Sequence, residues 1–260
     1  MLRRVRATRY VTPLREGGSL PAIVEADDDG LYGVKFRSAG QGPKALIAEL
    51  LAGELGRAVG LPIPELVFVD LDAELGRNEP DPEIQQLVME GAGLNLGMDY
   101  LPGALGFDPV TLDAFSRELA AKTVWFDAFV TNVDRTPRNP NILLWHREPW
   151  LIDHGASFYF HHSWDGYLSK AESPFAAVVD HVLLRRAGSI RTADRAMRPK
   201  LTEDLFERVV TMLPDEWLGP GAVFTNLEAV REAYFAYLVR RAEHTDAFVE
   251  EAERARTARV

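Results

Sequence analysis

Apolar and polar positions alternate in the first third of the chain and then recur at helical spacing. In the alternating part, Val5, Ala7 and Tyr10-Val11 begin an extended pattern that Gly17-Gly18-Ser19 interrupts. Ala22-Ile23-Val24-Glu25 resumes it, and Asp28-Asp29-Gly30 supplies turn chemistry before Leu31-Tyr32-Gly33-Val34-Lys35-Phe36. These segments predict three strands in a meander. A Gly-rich loop, Ser38 to Pro43, leads into a helix expected from Lys44 to Val59, which Gly60-Leu61-Pro62-Ile63-Pro64 stops. Leu66 to Asp70 reads as a strand, 71 to 83 as an acidic exposed loop, Leu87 to Glu90 as a strand, and Gly91 to Gly103 as a Gly-rich crossing. The period then changes. Leu112, Phe115, Leu119, Phe126, Phe129 and Val130 recur at helical spacing and predict a long core helix. Ile142 to Trp145 and Trp150 to Asp153 form a small hairpin, and 175–188, 202–213 and 226–255 read as amphipathic helices. The expected architecture is therefore α+β and bilobal: a small β-rich lobe with one helix (1–97) and a larger helical lobe with an embedded hairpin (98–260), joined near residues 95 to 103.

Composition narrows the function. The 260 residues are 47% apolar and 26% charged, as in an ordinary folded protein. With no cysteine, thiolate catalysis, disulfides and Cys-ligated metal are excluded, so metal chemistry must use carboxylates, amides or histidine. A net charge of −10 argues against nucleic acid as a primary ligand. The clusters Arg3, Arg4, Arg6, Arg9 and Arg240, Arg241, Arg254, Arg256, Arg259 lack interleaved aromatics and read as solvated faces. Asp27-Asp28-Asp29 reads as a solvated hairpin tip, His161-His162 as a solvated pair, and the Phe and Trp run at 125 to 129 as core. No apolar run approaches the roughly 20 residues of a membrane span. The expectation is a cytoplasmic protein without a membrane partner.

Lysine is scarce (Lys35, Lys44, Lys122, Lys170, Lys200), so a lysine inside an apolar strand is conspicuous and needs a counterion. A carboxylate one helix later, Glu49, can supply it. On the helical wheel Glu49 lies with Ala45, Ala52, Gly53 and Gly56, a stripe of small residues that suits a helix edging a nucleotide cleft. Its rival Glu54 shares the face of Leu46, Ile47, Leu50, Leu51 and Val59. Farther on, Asn132-Val133-Asp134-Arg135-Thr136-Pro137-Arg138-Asn139-Pro140-Asn141 places a carboxylate and amides on an irregular loop after the core helix. The hairpin then returns with Ile152-Asp153-His154-Gly155, an apolar strand that delivers a carboxylate to its end, followed by a glycine able to adopt unusual dihedrals. Asp134, an amide five or seven positions on, and Asp153 match what phosphoryl transfer needs: one carboxylate to orient a hydroxyl, and an amide with a second carboxylate for Mg²⁺. Lys35 with Glu49 completes the set by gripping nucleotide phosphates.

On these residues the chain resembles the HipA-like branch of the protein-kinase-like superfamily. Asn132, Asp134, Arg135 and Asn139 match its Asn-x-Asp-Arg pattern with a further Asn, and Gly60 to Pro64 after Glu49 matches its helix end. The resemblance implies Asp134 as the catalytic aspartate, Asn139 and Asp153 as metal ligands, Lys35 and Glu49 as the phosphate-positioning pair, and Gly17-Gly18-Ser19 as the phosphate-covering turn. Asn141, which begins an Asn-Ile-Leu-Leu run like that after a protein-kinase loop, competes with Asn139 and stands beside it as a ligand. Thr136 replaces a His of many relatives, and His154 replaces the Phe of Asp-Phe-Gly. HipA toxins carry an additional N-terminal subdomain for which the chain is short, so the toxin role is not carried over. The expected activity is ATP- and Mg²⁺-dependent transfer to a hydroxyl, foremost Ser or Thr of a protein. A small-molecule or lipid-headgroup kinase, and a non-catalytic nucleotide-binding scaffold, are the alternatives.

Overall fold

The computed structural model describes residues 2–14, 21–77, 80–219, 221 and 223–258. Gly17, Gly18, Ser19 and Arg259 lie outside the described residues. Five strands, β1 (Arg4–Pro13), β2 (Ala22–Ala26), β3 (Leu31–Lys35), β4 (Leu66–Leu71) and β5 (Gly93–Asp99), close into a barrel in the order β1-β2-β3-β5-β4. Neighbours run antiparallel except β1 and β4, which are parallel. Val5, Ala7, Val24, Val34, Val67 and Val69 fill the barrel. β-Branched and small side chains suit so narrow an interior.

Two helices accompany the barrel, α1 (Pro43–Val59) and α2 (Pro82–Glu90). The second replaces the expected strand at Leu87 to Glu90: Asp81 caps it by accepting the Glu83 N–H, and Pro82 opens its first turn. The expected Gly-rich crossing is β5 itself. A Cβ at Gly97 would stand 2.6 Å from Val69 and 3.0 Å from Val67, so glycine is the condition for closing the barrel there. Asn95 is buried on that strand and satisfied, its amide donating to the Gly91 and Gly93 carbonyls while its oxygen accepts from the Arg37 N–H. β5 runs past the 97/98 division to Asp99, and the chain crosses through residues 100–104 to a second, three-stranded sheet.

That sheet has the order β6 (Leu105–Gly106), β7 (Ile142–Trp145), β8 (Glu148–Leu151). The remainder is helical: α3 (Arg117–Phe129), α4 (Tyr167–Ala171), α5 (Ile190–Met197), α6 (Glu203–Thr211), α7 (Leu227–Glu243) and α8 (Thr245–Thr257). The core helix α3 begins later than its apolar spacing suggests, because Ser116 caps it and a 3₁₀ turn, Pro109–Ala114, precedes it. The helix expected over 226–255 is two helices that break at His244. Residues 175–188 hold only a 3₁₀ turn, Ala176–Asp180, since His181 and Val182 are tied to other segments.

One continuous core joins α1 to the helical half, through Leu50, Leu51 and Leu55 on one side and Trp125, Phe126 and Phe129 on the other. Gly53 and Gly56 serve this packing rather than a cleft edge: a Cβ at Gly56 would lie 2.4 Å from Ile63 Cδ1 and 3.1 Å from the Phe126 ring. Lys200 donates to the Val59 carbonyl at the end of α1 (2.7 Å), and Trp217 donates to the Leu94 carbonyl in β5 (3.0 Å).

Two surface expectations are corrected. Arg241 is fully buried, donating to the carbonyls of Ala128, Phe129, Ala171 and Ser173 and lying over the Phe248 ring. His161 is buried in a 3₁₀ turn with Nδ1 on the Tyr234 hydroxyl, and burial pushes its pKa down to about 3. The Asp27-Asp28-Asp29 tip is solvated as expected, and Asp28 there accepts from Arg3 and from the Tyr32 hydroxyl. Among the described residues, no helix is long and apolar enough to cross a membrane.

Replacing Gly56 by Ala adds about 1 kcal/mol of helix propensity but forces the Ile63 and Phe126 contacts apart, which costs about 1–3 kcal/mol. The expected outcome is a lowered urea midpoint; a raised midpoint would contradict the close packing of α1 on α3.

Candidate active site

Strand β3 ends at Lys35, placed so that its stem leaves the barrel and its ammonium faces α1. Nζ lies 2.5 Å from Glu49 Oε2 and 2.6 Å from Asp153 Oδ1. Glu49 is 2% exposed, and its Oε2 also accepts the His154 backbone N–H at 2.9 Å. Burial alone would lift the Glu49 carboxyl, and the Lys35 charge more than reverses this, holding it far below the ordinary carboxylate range. Burial would likewise lower Lys35, and the charges of Glu49 and Asp153 hold its pKa above the usual value instead. The rival Glu54 pairs with Arg57 at 3.4 Å and does not reach Lys35.

Asp153 follows β8 with φ of 55°, in the left-handed region that disfavours a residue with a Cβ. The unusual dihedral thus falls on the aspartate rather than on Gly155, which has no positive φ. Gly155 stands against the Ala45 carbonyl and Glu49, where an added Cβ would make ordinary contacts.

Asp134 lies on the loop between α3 and β7. Its Oδ2 accepts from Asn139 Nδ2 at 2.7 Å and Asn141 Nδ2 at 3.3 Å. Burial raises its pKa, the Asn141 and Asn139 donors lower it, and the nearby charge of Asp153 raises it, the net shift being upward. The two carboxylates therefore sense one another across the loop. Asn132 does not face the cleft: its oxygen accepts the Asp134 N–H and its amide donates to Asp127.

The loop is held by a buried cluster in which Arg135 of the motif meets Asp127 and His181, two residues that the sequence did not single out. Arg135 is 1% exposed; its Nε donates to Asp127 Oδ2 at 2.6 Å, and its guanidinium reaches the Asn141 carbonyl and, at 3.3 Å, that of Ile152. One side chain thereby ties the Asp134 loop to the strand that delivers Asp153. Asp127 also receives His181 Nε2 at 2.9 Å, while His181 Nδ1 accepts the Leu183 N–H, which fixes the ring's tautomer. Burial would raise the Asp127 carboxyl, but the Arg135 charge holds it well below the ordinary range. Its only signal in the sequence is an acidic residue on the core helix eight positions before Arg135.

Asn139, Asn141 and Asp153 offer one carboxylate and two amides to a cation. Both amides turn nitrogen toward Asp134, leaving oxygen as the donor for a hard ion, and the Asp153 side chain is 36% exposed. Among the described residues no group of three or more His, Asp or Glu side chains forms a metal site. The donor set suits an ion that arrives with phosphate oxygens, as Mg²⁺ does with a nucleotide. Two hollows elsewhere, one by Arg198, Leu201 and Phe206 and one by Pro62, Leu119 and Trp150, gather none of Lys35, Glu49, Asp134 or Asp153.

A family model described as HipA-like kinase matches residues 8–250. The chain belongs to the HipA-like kinase family. Kinase is accordingly its activity class. No curated protein matches the HipA-like chain. Among solved structures it is similar to the Helicobacter pylori proinflammatory kinase CtkA, at 12% identity and a TM-score of 0.55, covering 99% of each chain. It is also similar to the Golgi casein kinase crystallised with Mn/ADP, at 13% identity and a TM-score of 0.50, covering 100% of this chain and 75% of that one. At such identities the likeness concerns the fold, and it agrees with the expected β-rich and helical halves of a kinase-like fold.

The buried pair yields a prediction with a sign. Asp127 is depressed in the fold, so its contribution is full above the unfolded carboxylate value of about 3.9 and is lost as pH falls below it. Asp127→Asn is expected to lose about 3–5 kcal/mol at neutral pH. Its urea midpoint should also fall less steeply than wild type between about pH 5 and pH 3. Parallel curves would show that Arg135 does not depend on this carboxylate.

Proposed function

We propose that this chain is an ATP- and Mg²⁺-dependent kinase that moves the γ-phosphoryl group to a hydroxyl, with Ser or Thr of a protein as acceptor. The reading is carried by the meeting of Glu49 and Asp153 on the Lys35 ammonium, with Asp134 electrostatically coupled to Asp153. Family membership and the Mn/ADP complex of the similar Golgi casein kinase support a nucleotide used with a divalent ion.

In this reading Lys35, fixed by Glu49, grips the nucleotide phosphates. Asp153 with Asn139 and Asn141 holds Mg²⁺, which when bound neutralises charge building on the β- and γ-phosphates. Asp134 orients the acceptor hydroxyl and takes its proton as the new oxygen–phosphorus bond forms and the bond to the β-phosphate oxygen breaks. Its upward pKa shift moves it toward the range of a useful base, while Asn139 and Asn141 limit the shift. Residues 1–97 thus position phosphates, and 98–260 carry the catalytic loop and the metal-binding hairpin.

The test is Asp134→Ala with radiolabelled ATP and separate panels of proteins, peptides and small hydroxyl compounds. The expected outcome is nearly unchanged nucleotide binding and transfer reduced ~10²–10⁴-fold. Equal transfer by the variant would remove Asp134 from the reaction. Labelling confined to small molecules would replace the protein acceptor by a small one, and a wild type that binds nucleotide without transferring it would leave a scaffold.

A further inference from the structure

His154 is fully buried beside the Lys35–Glu49 pair, yet among the described residues neither ring nitrogen has a hydrogen-bond partner. A buried imidazole left in that state costs about 1–3 kcal/mol, whereas a phenylalanine of similar shape would cost nothing of the kind. The ring packs edge-on against Phe126 on one side. Something other than stability therefore accounts for the nitrogen atoms. One polar atom near them is equally unprovided for: Glu49 Oε1 is buried without a partner and lies 3.5 Å from His154 Nδ1.

The backbone narrows the possibilities. The His154 N–H already holds Glu49 Oε2, and Asp153, one residue earlier, holds Lys35. A single dipeptide therefore touches both members of the ion pair. Closing the 3.5 Å gap by a few tenths of an ångström would give each Glu49 oxygen a donor from the same residue, backbone to Oε2 and ring to Oε1. Held at two points, the carboxylate keeps its orientation when the Lys35 ammonium turns from Asp153 toward phosphate oxygens.

We infer that His154 is a positioning residue for the kinase reaction, whose ring fixes the Glu49 carboxylate and through it the Lys35 ammonium. The inference rests on the proposed kinase reading for its catalytic consequence and on geometry alone for the His154–Glu49 coupling.

The test combines a stability cycle with kinetics. Wild type, His154→Phe, Glu49→Gln and the double variant are unfolded in urea, and the change caused by His154→Phe is compared with and without the Glu49→Gln substitution. The expected result is non-additivity: the change should be more unfavourable where the carboxylate is present. Equal changes in both backgrounds overturn the inference. In parallel, His154→Phe is expected to lower kcat/KM for ATP about tenfold, the lower end of the effect of residues that orient a ligand group, with the KM of the acceptor unchanged. His154→Asn, whose amide replaces the Nδ1 donor, should recover part of it. A His154→Phe variant that is more stable and kinetically identical to wild type would show a packing role and defeat the inference. If wild type transfers no phosphoryl group, the kinase reading fails while the urea cycle still decides the coupling.

Discussion

A lysine ammonium withdrawn from water needs compensating charge, and this molecule is arranged around supplying it. Lys35 is 18% exposed and holds Glu49 from one helix and Asp153 from the far end of a hairpin, 118 residues away in sequence. Removing the buried Glu49 would leave the charge under-compensated, which typically costs several kcal/mol, while removing the solvent-facing Asp153 costs less. The ion cluster thus adds a polar tie between the barrel strand, helix α1 and the β7–β8 hairpin, which the continuous apolar core already joins. An ammonium shared by two carboxylates is also ready to exchange one of them for another anion.

The second constraint is the buried Asp127–Arg135–His181 cluster. It fixes the loop on which Asp134 stands, and Arg135 extends to the carbonyls of Asn141 and Ile152, spanning both ends of the hairpin. Two ionic clusters therefore anchor the segments that carry Asp134 and Asp153, one through Lys35 and one through Arg135. The Asp127–Arg135 pair is fully buried, so an unpaired partner there would be costly, whereas Asp153 keeps a solvent-facing side in the Lys35 cluster. Left-handed backbone at Asn141 and Asp153, φ 51° and 55°, is the local strain this arrangement tolerates.

Much of this was readable from the chain because the chemistry is unusual against its surroundings. A lysine inside an apolar strand demanded an acid, and the small-residue face of α1 pointed to Glu49 rather than Glu54. The reason for that face is packing rather than a cleft edge: Gly53 and Gly56 are small because Leu66, Ile63 and Phe126 press on them. β5 escaped notice because its glycines and Asn95 look like loop chemistry, whereas Gly97 is imposed by barrel closure and Asn95 is satisfied locally. Leu87 to Glu90 is apolar enough for a strand, but the capping Asp81 and Pro82 decide for a helix. Arg241 and His161 look like surface residues in the sequence because only tertiary partners, the α3 carbonyls and the Tyr234 hydroxyl, make their burial tolerable. Such long-range satisfaction of polar groups leaves no periodic trace in sequence.

The central claim is that the Lys35 ammonium stands where nucleotide phosphates bind. The most direct measurement treats the folded protein with an acyl-phosphate derivative of ATP, which transfers its acyl group to a lysine lying beside the phosphates, and maps the modified residue by mass spectrometry. The account predicts acylation at Lys35, suppressed by excess ATP with Mg²⁺. Acylation spread over Lys44, Lys122, Lys170 and Lys200, or labelling of Lys35 that ATP leaves untouched, would contradict it.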